Sequence, residues 1–223
     1  MMATMRLARG RLRVVLVAVV TGALASTAAA AARGADDEIL GLLGRSDWDA
    51  LRARGREQVE PALLRRYRTG DETQRAQVAG AFYKLGWTST AAKELLLDDV
   101  RTPDANLRLN VQYALGRVSG DPDVVDALLA NMRTDPNPLF RDKAACALAY
   151  DQIHLSEPQK VRLFAGLIAA LEDPQPQVRA IAIKALQIHT GQTKGFKPHA
   201  APEKRAVAVA AWQAWLAEYQ AQF

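Results

Sequence analysis

Three histidines, one cysteine and two groups of aspartates are the side chains of this sequence that could do chemistry. The histidines are His154, His189 and His199. A zinc site of the H-E-x-x-H kind needs two ligands one helical turn apart. No such spacing occurs, so the sequence offers no metal site and no cofactor motif. Asp121, Asp123 and Asp126 open a helix, where carboxylates suit the positive end of the dipole. Asp98 and Asp99 read as a hydrated turn at the end of another helix. Cys146 is the only cysteine, so no intramolecular disulfide can form and the fold must stand on its apolar core. Nothing basic adjoins it, which favours a small packing residue over a reactive thiol. There is no G-x-S-x-G and no glycine loop to cradle phosphate. No catalytic residue is assigned.

One charged residue does recur. Arg75, Arg108, Arg141 and Arg179 each open the pattern R-x-x-(A/V)-x-x-A-(L/F). The pattern continues through Val78, Ala81 and Phe82; Val111, Ala114 and Leu115; Ala144, Ala147 and Leu148; and Ala182, Ala185 and Leu186. The arginines lie 33, 33 and 38 residues apart. A near-constant period in this range marks a repeat architecture. Each arginine could bond an acid or a carbonyl in its own or a neighbouring turn, which makes the four a structural ladder.

The elements that carry the ladder follow from its flanks. Five residues before each arginine stand Gly70, Pro103, Pro136 and Pro174, which interrupt one helix and permit the next. Twelve residues before stand Leu63, Leu96, Leu129 and Leu167; sixteen before stand Val59, Ala92, Val125 and Leu163. Spacings of four put these on one helix face. Each unit is therefore a helix, a short turn and a second, antiparallel helix. Ala on the second helix lets backbones approach, and Leu or Phe fills the core. A stack of such pairs hides a face that one pair cannot.

The composition agrees. Hydrophobic residues make up 49 % and aromatics 6 %, which suits close-packed helices. The expected fold is all-α, an α-solenoid of stacked antiparallel helix pairs. Repeats span about 57–86, 90–119, 122–151 and 157–190. Residues 33–56 form N-terminal capping helices, with Ser46 and Asp49 approximating a capping box and Gly55 closing the second helix. A loop covers 191–201. A capping helix covers 202–223, with Val209, Trp212, Leu216 and Tyr219 on one stripe.

Residues 1–32 read as an export signal. Arg6, Arg9, Arg11 and Arg13 precede an apolar stretch and then small residues fit for cleavage after Ala30, Ala31 or Ala32. The expected location is periplasmic or secreted. The alternative is an uncleaved anchor, because 14–32 carries no charge. Cleavage removes four of 29 basic residues and leaves 25 against 24 acids. The basic character of the whole chain is thus largely a targeting feature and no sign of nucleic acid.

The period, the D/T-P turns (Thr102-Pro103, Asp135-Pro136, Asp173-Pro174), the recurrent arginine and the A-L pair resemble the HEAT-repeat family over about 57–190. The first unit departs, with Thr69-Gly70-Asp71 at its turn. With the N-terminal segment, the resemblance implies an exported bacterial HEAT-repeat protein. One family enzyme, deoxyhypusine hydroxylase, binds iron through His-Glu pairs, and this chain has no His-Glu dipeptide. A near-neutral mature charge and export count against the HEAT-like DNA glycosylases. In such folds the second helices line the concave side. Facing away from the core there are Tyr83, Asn110, Tyr113, Arg117, Lys143, Tyr150, Lys184 and Gln187, a mixture typical of contact surfaces. The expectation is a non-catalytic scaffold for a protein partner. The alternative is an enzyme-like factor, such as the family's lyase-like chromophore-attachment proteins, using Cys146, Asp142 or His154.

Overall fold

The computed structural model describes residues 33–223, so the expected signal peptide, 1–32, lies outside the described residues. The described chain is helical throughout, with no strand among those residues. Helix α1 covers residues 33–44. It is followed by α2 (Trp48–Arg54), α3 (Arg56–Thr69), α4 (Glu72–Leu85), α5 (Thr90–Asp98) and α6 (Ala105–Val118). Then come α7 (Pro122–Thr134), α8 (Pro138–Tyr150), α9 (Glu157–Ala170), α10 (Pro176–Thr190) and α11 (Pro202–Gln220). No helix among the described residues is long and apolar enough to cross a membrane. The described residues form two compact units that divide after Ala62.

In the first unit, α2 is capped by Asp47, whose side chain accepts from the Ala50 amide at 3.1 Å. The capping box expected at Ser46 is not formed; Ser46 instead turns the chain in the left-handed region, φ 56°. Gly55 does close α2, with φ 80°.

In the second unit, short polar residues set most helix starts. Asp71 and Gln74 form a reciprocal capping box on α4. Ser89, Asp104 and Asn137 accept from backbone amides at the starts of α5, α6 and α8. Proline occupies the first turn of α7, α8, α9, α10 and α11, where its missing N–H has no helical partner to lose.

Helix α4 packs on α6, α6 on α8, and α8 on α10; α7 packs on α9, and α9 on α11. Contacts of α5 with α6, α7 with α8 and α9 with α10 join the two rows. The repeated positions build this junction. Val78, Val111, Ala144 and Ala182 are all 0 % exposed. The small residues Ala81, Ala114, Ala147 and Ala185 and the larger Phe82, Leu115, Leu148 and Leu186 are buried with them. Each buried Leu or Phe contributes about 1.5–3 kcal/mol, while each Ala contributes mainly proximity. Leu129, expected on the apolar face, is only half-buried. Its methyl groups occupy the space where a side chain on Gly166 of α9 would begin.

The extra residues that lengthen the last period fold back over the ends of α4 and α6. The Nε2–H of His154 donates to the carbonyls of Gly86 at 3.1 Å and Arg117 at 2.9 Å. Gly116 and Gly120 make room: a Cβ on Gly116 would stand 2.6 Å from the Asp151 carbonyl oxygen, and one on Gly120 2.6 Å from that of His154.

One core position departs furthest from this satisfied pattern. Gln112 is fully buried, and neither its amide oxygen nor its nitrogen has a partner. It lies one turn from Arg108 and one from Gly116, both turned toward α8 and its flanking turns. A buried amide without bonds costs about 1–3 kcal/mol. Gln112→Met keeps the length and removes the amide, so it raises the unfolding free energy by about 1–2 kcal/mol. Urea denaturation checks this, with a higher midpoint at unchanged slope expected.

Candidate functional site

The helix row α4–α6–α8–α10 brings the expected contact residues together in two groups. In the first, the rings of Tyr83 and Tyr113 stand 6.0 Å apart at 47°, and the Arg117 guanidinium lies over Tyr83 at 4.4 Å. The Arg117 Nε–H donates to Asp151 Oδ1 at 2.9 Å. Asp151 is buried, and burial pushes its carboxyl above the usual carboxylate range, with Arg117 opposing. Burial also raises the Tyr113 hydroxyl, against the pull of Lys143. Lys143 pairs with Asp142 at 3.3 Å, and that hydrogen bond raises its ammonium pKa. Asn110 donates to the Asn106 carbonyl at 2.8 Å, and its Oδ1 lies 3.2 Å from where a Gly80 Cβ would sit. Arg117 and Asn110 are thus engaged by the chain itself, and helix packing takes part of the face that spacing alone assigns to a partner.

The second group lines an open groove of about 370 Å³ between α8 and α10. Tyr150, 60 % exposed, stands on its α8 side and Lys184 on its α10 side. Gln187 is exposed further along α10. Cys146 lies in the groove, half-buried. Burial pushes its thiol up, Asp142 and Asp151 add to the rise, and Lys143 opposes it. The thiolate that nucleophilic chemistry needs is therefore disfavoured.

The ladder arginines divide into two kinds. Arg75 reaches both carboxylate oxygens of Asp99 at 2.8 and 2.9 Å, and the Tyr67 hydroxyl donates to the same group at 2.7 Å. Arg108 pairs with Asp135, whose side chain is 0 % exposed. Arg141 donates to the carbonyl of Asp135 at 2.7 Å and to Gln177 at 3.0 Å. Arg179 donates to the carbonyls of Asp173, Pro174 and Pro198 at 2.7, 3.0 and 2.9 Å.

Among the described residues, no three His, Cys, Asp or Glu side chains converge as metal ligands. Both half-buried histidine rings serve the backbone. His189 donates from Nε2 to the Leu148 carbonyl at 2.8 Å and meets Phe164 edge-on. Phe164 also meets Trp215 and Tyr219 of α11, and Trp212 is fully buried. Leu216 and Tyr219 are half-buried, so the expected α11 stripe is fully covered only at Val209 and Trp212.

Burial pushes His189 below its ordinary 6.5. The unfolded chain then takes up its proton first, so stability is complete above about pH 6.5 and falls as pH drops toward the depressed value. The slope reaches up to about 1.4 kcal/mol per pH unit. In thermal melts from pH 7.5 to 5, His189→Gln flattens this decline.

A comparison with protein-family models finds no match, and a comparison with curated proteins finds none either.

Proposed function

We propose that the chain is an exported, non-catalytic α-solenoid of HEAT-like helix pairs that binds another protein along α4, α6, α8 and α10. The observation that carries this reading is the exposed side of those helices. Tyr113, Lys143, Tyr150, Lys184 and Gln187 project from three successive helices whose opposite sides form the core. Aromatic and hydrogen-bonding groups on a rigid support are what contact surfaces use. The solenoid reading is supported by the same repeat positions being buried in all four second helices. Export is supported by the residue pattern of 1–32. The raised Cys146 thiol and the tethered His154 ring weigh against an enzyme built on Cys146, Asp142 or His154.

The experiment is photo-crosslinking in the native host from positions 113, 150 and 187, followed by pull-down with wild type and with Tyr150→Ala plus Gln187→Ala. Loss of a crosslinked protein in the variant supports the face, and equal recovery of every partner rejects it. Intact mass of the exported protein tests the signal, because cleavage removes about thirty residues.

A further inference from the structure

We infer that the groove between α8 and α10 receives an acidic segment of a protein partner, anchored by an aliphatic side chain. This rests on the scaffold reading and specifies its partner.

The floor sets the anchor. Ala149, Ile181 and Ile188 line the groove, with Cys146 between them and Tyr150 and Lys184 at the rim. Ile181 and Ile188 are half-exposed although the residues one turn away are core. Covering them with a Leu or Ile side chain removes apolar surface from water at about 25 cal/mol per Å². A volume near 370 Å³ admits a few side chains and suits a segment of chain better than a whole domain face.

The charge sets the sign. Helices α6, α8 and α10 carry six basic residues, Arg108, Arg117, Arg141, Lys143, Arg179 and Lys184, against one acid, Asp142. Helices α5, α7 and α9 carry four basic residues and five acids. The turn carboxylates Asp135 and Asp151 offset two of the six, and the α6–α8–α10 row keeps a smaller basic excess. Three of the four arginines serve turns, and Arg117 is tied to Asp151. Asp142 also lines the groove, but Lys143 pairs with it at 3.3 Å, so Lys184 is, among the described residues, the charge of the lining left without a partner ion. Lys184 is exposed and has no ion pair among the described residues. It stands beside the apolar floor, where a carboxylate next to an aliphatic anchor would reach it. Complementary charge then selects the partner and speeds encounter.

The test uses the exported protein and three fluorescein-labelled twelve-residue peptides: alternating Glu and Leu, alternating Lys and Leu, and alternating Glu and Ser. Anisotropy reads binding. Alkylation of Cys146 by a maleimide reads occupancy of the groove, because the chain has one cysteine. The Glu–Leu peptide should bind and slow alkylation at least tenfold, and the other two should do neither. Lys184→Glu should weaken binding at least tenfold, and Lys184→Ala by less. Equal binding of the Lys–Leu peptide, or Glu–Leu binding that leaves Cys146 unprotected, overturns the inference. So does protection by anionic phosphatidylserine vesicles where the peptides give none. If the peptides fail while position 113 still crosslinks a protein in the host, the groove assignment falls and the scaffold reading stands.

Discussion

Replacing Arg108 with Met lowers the unfolding free energy by about 3–5 kcal/mol and the melting temperature by about 10 °C. Met keeps the apolar stem that crosses the helix interface and removes only the guanidinium. The group left behind is Asp135, whose side chain has no exposure. With Arg108 gone, one oxygen of Asp135 still accepts from the Asn137 amide at 2.9 Å, and the carboxylate has no other ion pair among the described residues, Arg141 being engaged by the backbone carbonyl. An unpaired buried carboxylate is among the most expensive defects a core can carry. Arg108 also lies over the Phe140 ring at 4.7 Å, worth about 0.5–1 kcal/mol more. The neighbouring rung gives the internal control. Arg141 bonds a carbonyl and a glutamine and pairs with no carboxylate, so Arg141→Met costs about 1–2 kcal/mol. Calorimetry on both variants decides it. Equal losses would mean that the arginines stiffen the helices without serving Asp135.

That inequality marks how far the sequence could be read. The four arginines look alike in the chain because they share a helix position, and the period assigns them one role. Whether an arginine meets an acid, and which one, depends on turn length. Arg75 reaches Asp99, nine residues before the next arginine, whereas Arg108 reaches Asp135, six residues before its own successor. Helix α5 ends early, at Asp98, which shifts the carboxylate along the turn. Periodicity reports the side of a helix and not the path of a turn. The buried positions at 78, 111, 144 and 182 were legible for the same reason, since one residue every repeat faces the same neighbours.

The insertion after α8 was legible as a longer period ending in a Ser156–Gln159 cap, which forms, but what it covers was not legible. Its role is to cover the ends of α4 and α6, and the partners of His154 are 37 and 68 residues away. No local spacing encodes such a contact. The exposure of the candidate face was legible only in part, on the same grounds. The wheel finds residues that point away from the core of their own pair, so it finds Tyr150 and Lys184. It cannot see that Arg117 meets Asp151, 34 residues on, or that Gly80 brings α4 close enough for Asn110 to fill the gap.

Arg117 therefore behaves as a support for the face, and its loss has a distinctive acid response. At pH 7, Arg117→Met costs about 3 kcal/mol, because Asp151 stays buried without its partner. Part of the loss is the contact with Tyr83, which no pH change restores. The rest depends on the proton. Even with Arg117 present, burial holds the Asp151 carboxyl above 3.8. A group whose folded pKa is raised binds its proton first in the folded chain, so this group's contribution favours the fold more as pH falls toward 3.8. Without Arg117 the opposing pull is gone and the folded pKa rises further. The deficit of the variant relative to wild type should then shrink between neutral pH and about pH 4. Asp151→Asn removes the charge at every pH, so in the Arg117→Met background it should recover most of the deficit at pH 7 and abolish its pH dependence. Chemical denaturation of wild type, Arg117→Met and the double variant at pH 7, 5.5 and 4 measures all three quantities. A deficit that stays constant with pH, or survives Asp151→Asn intact, would show that Arg117 acts through Tyr83 packing alone. Its carboxylate partner would then be incidental to the shape of the candidate face.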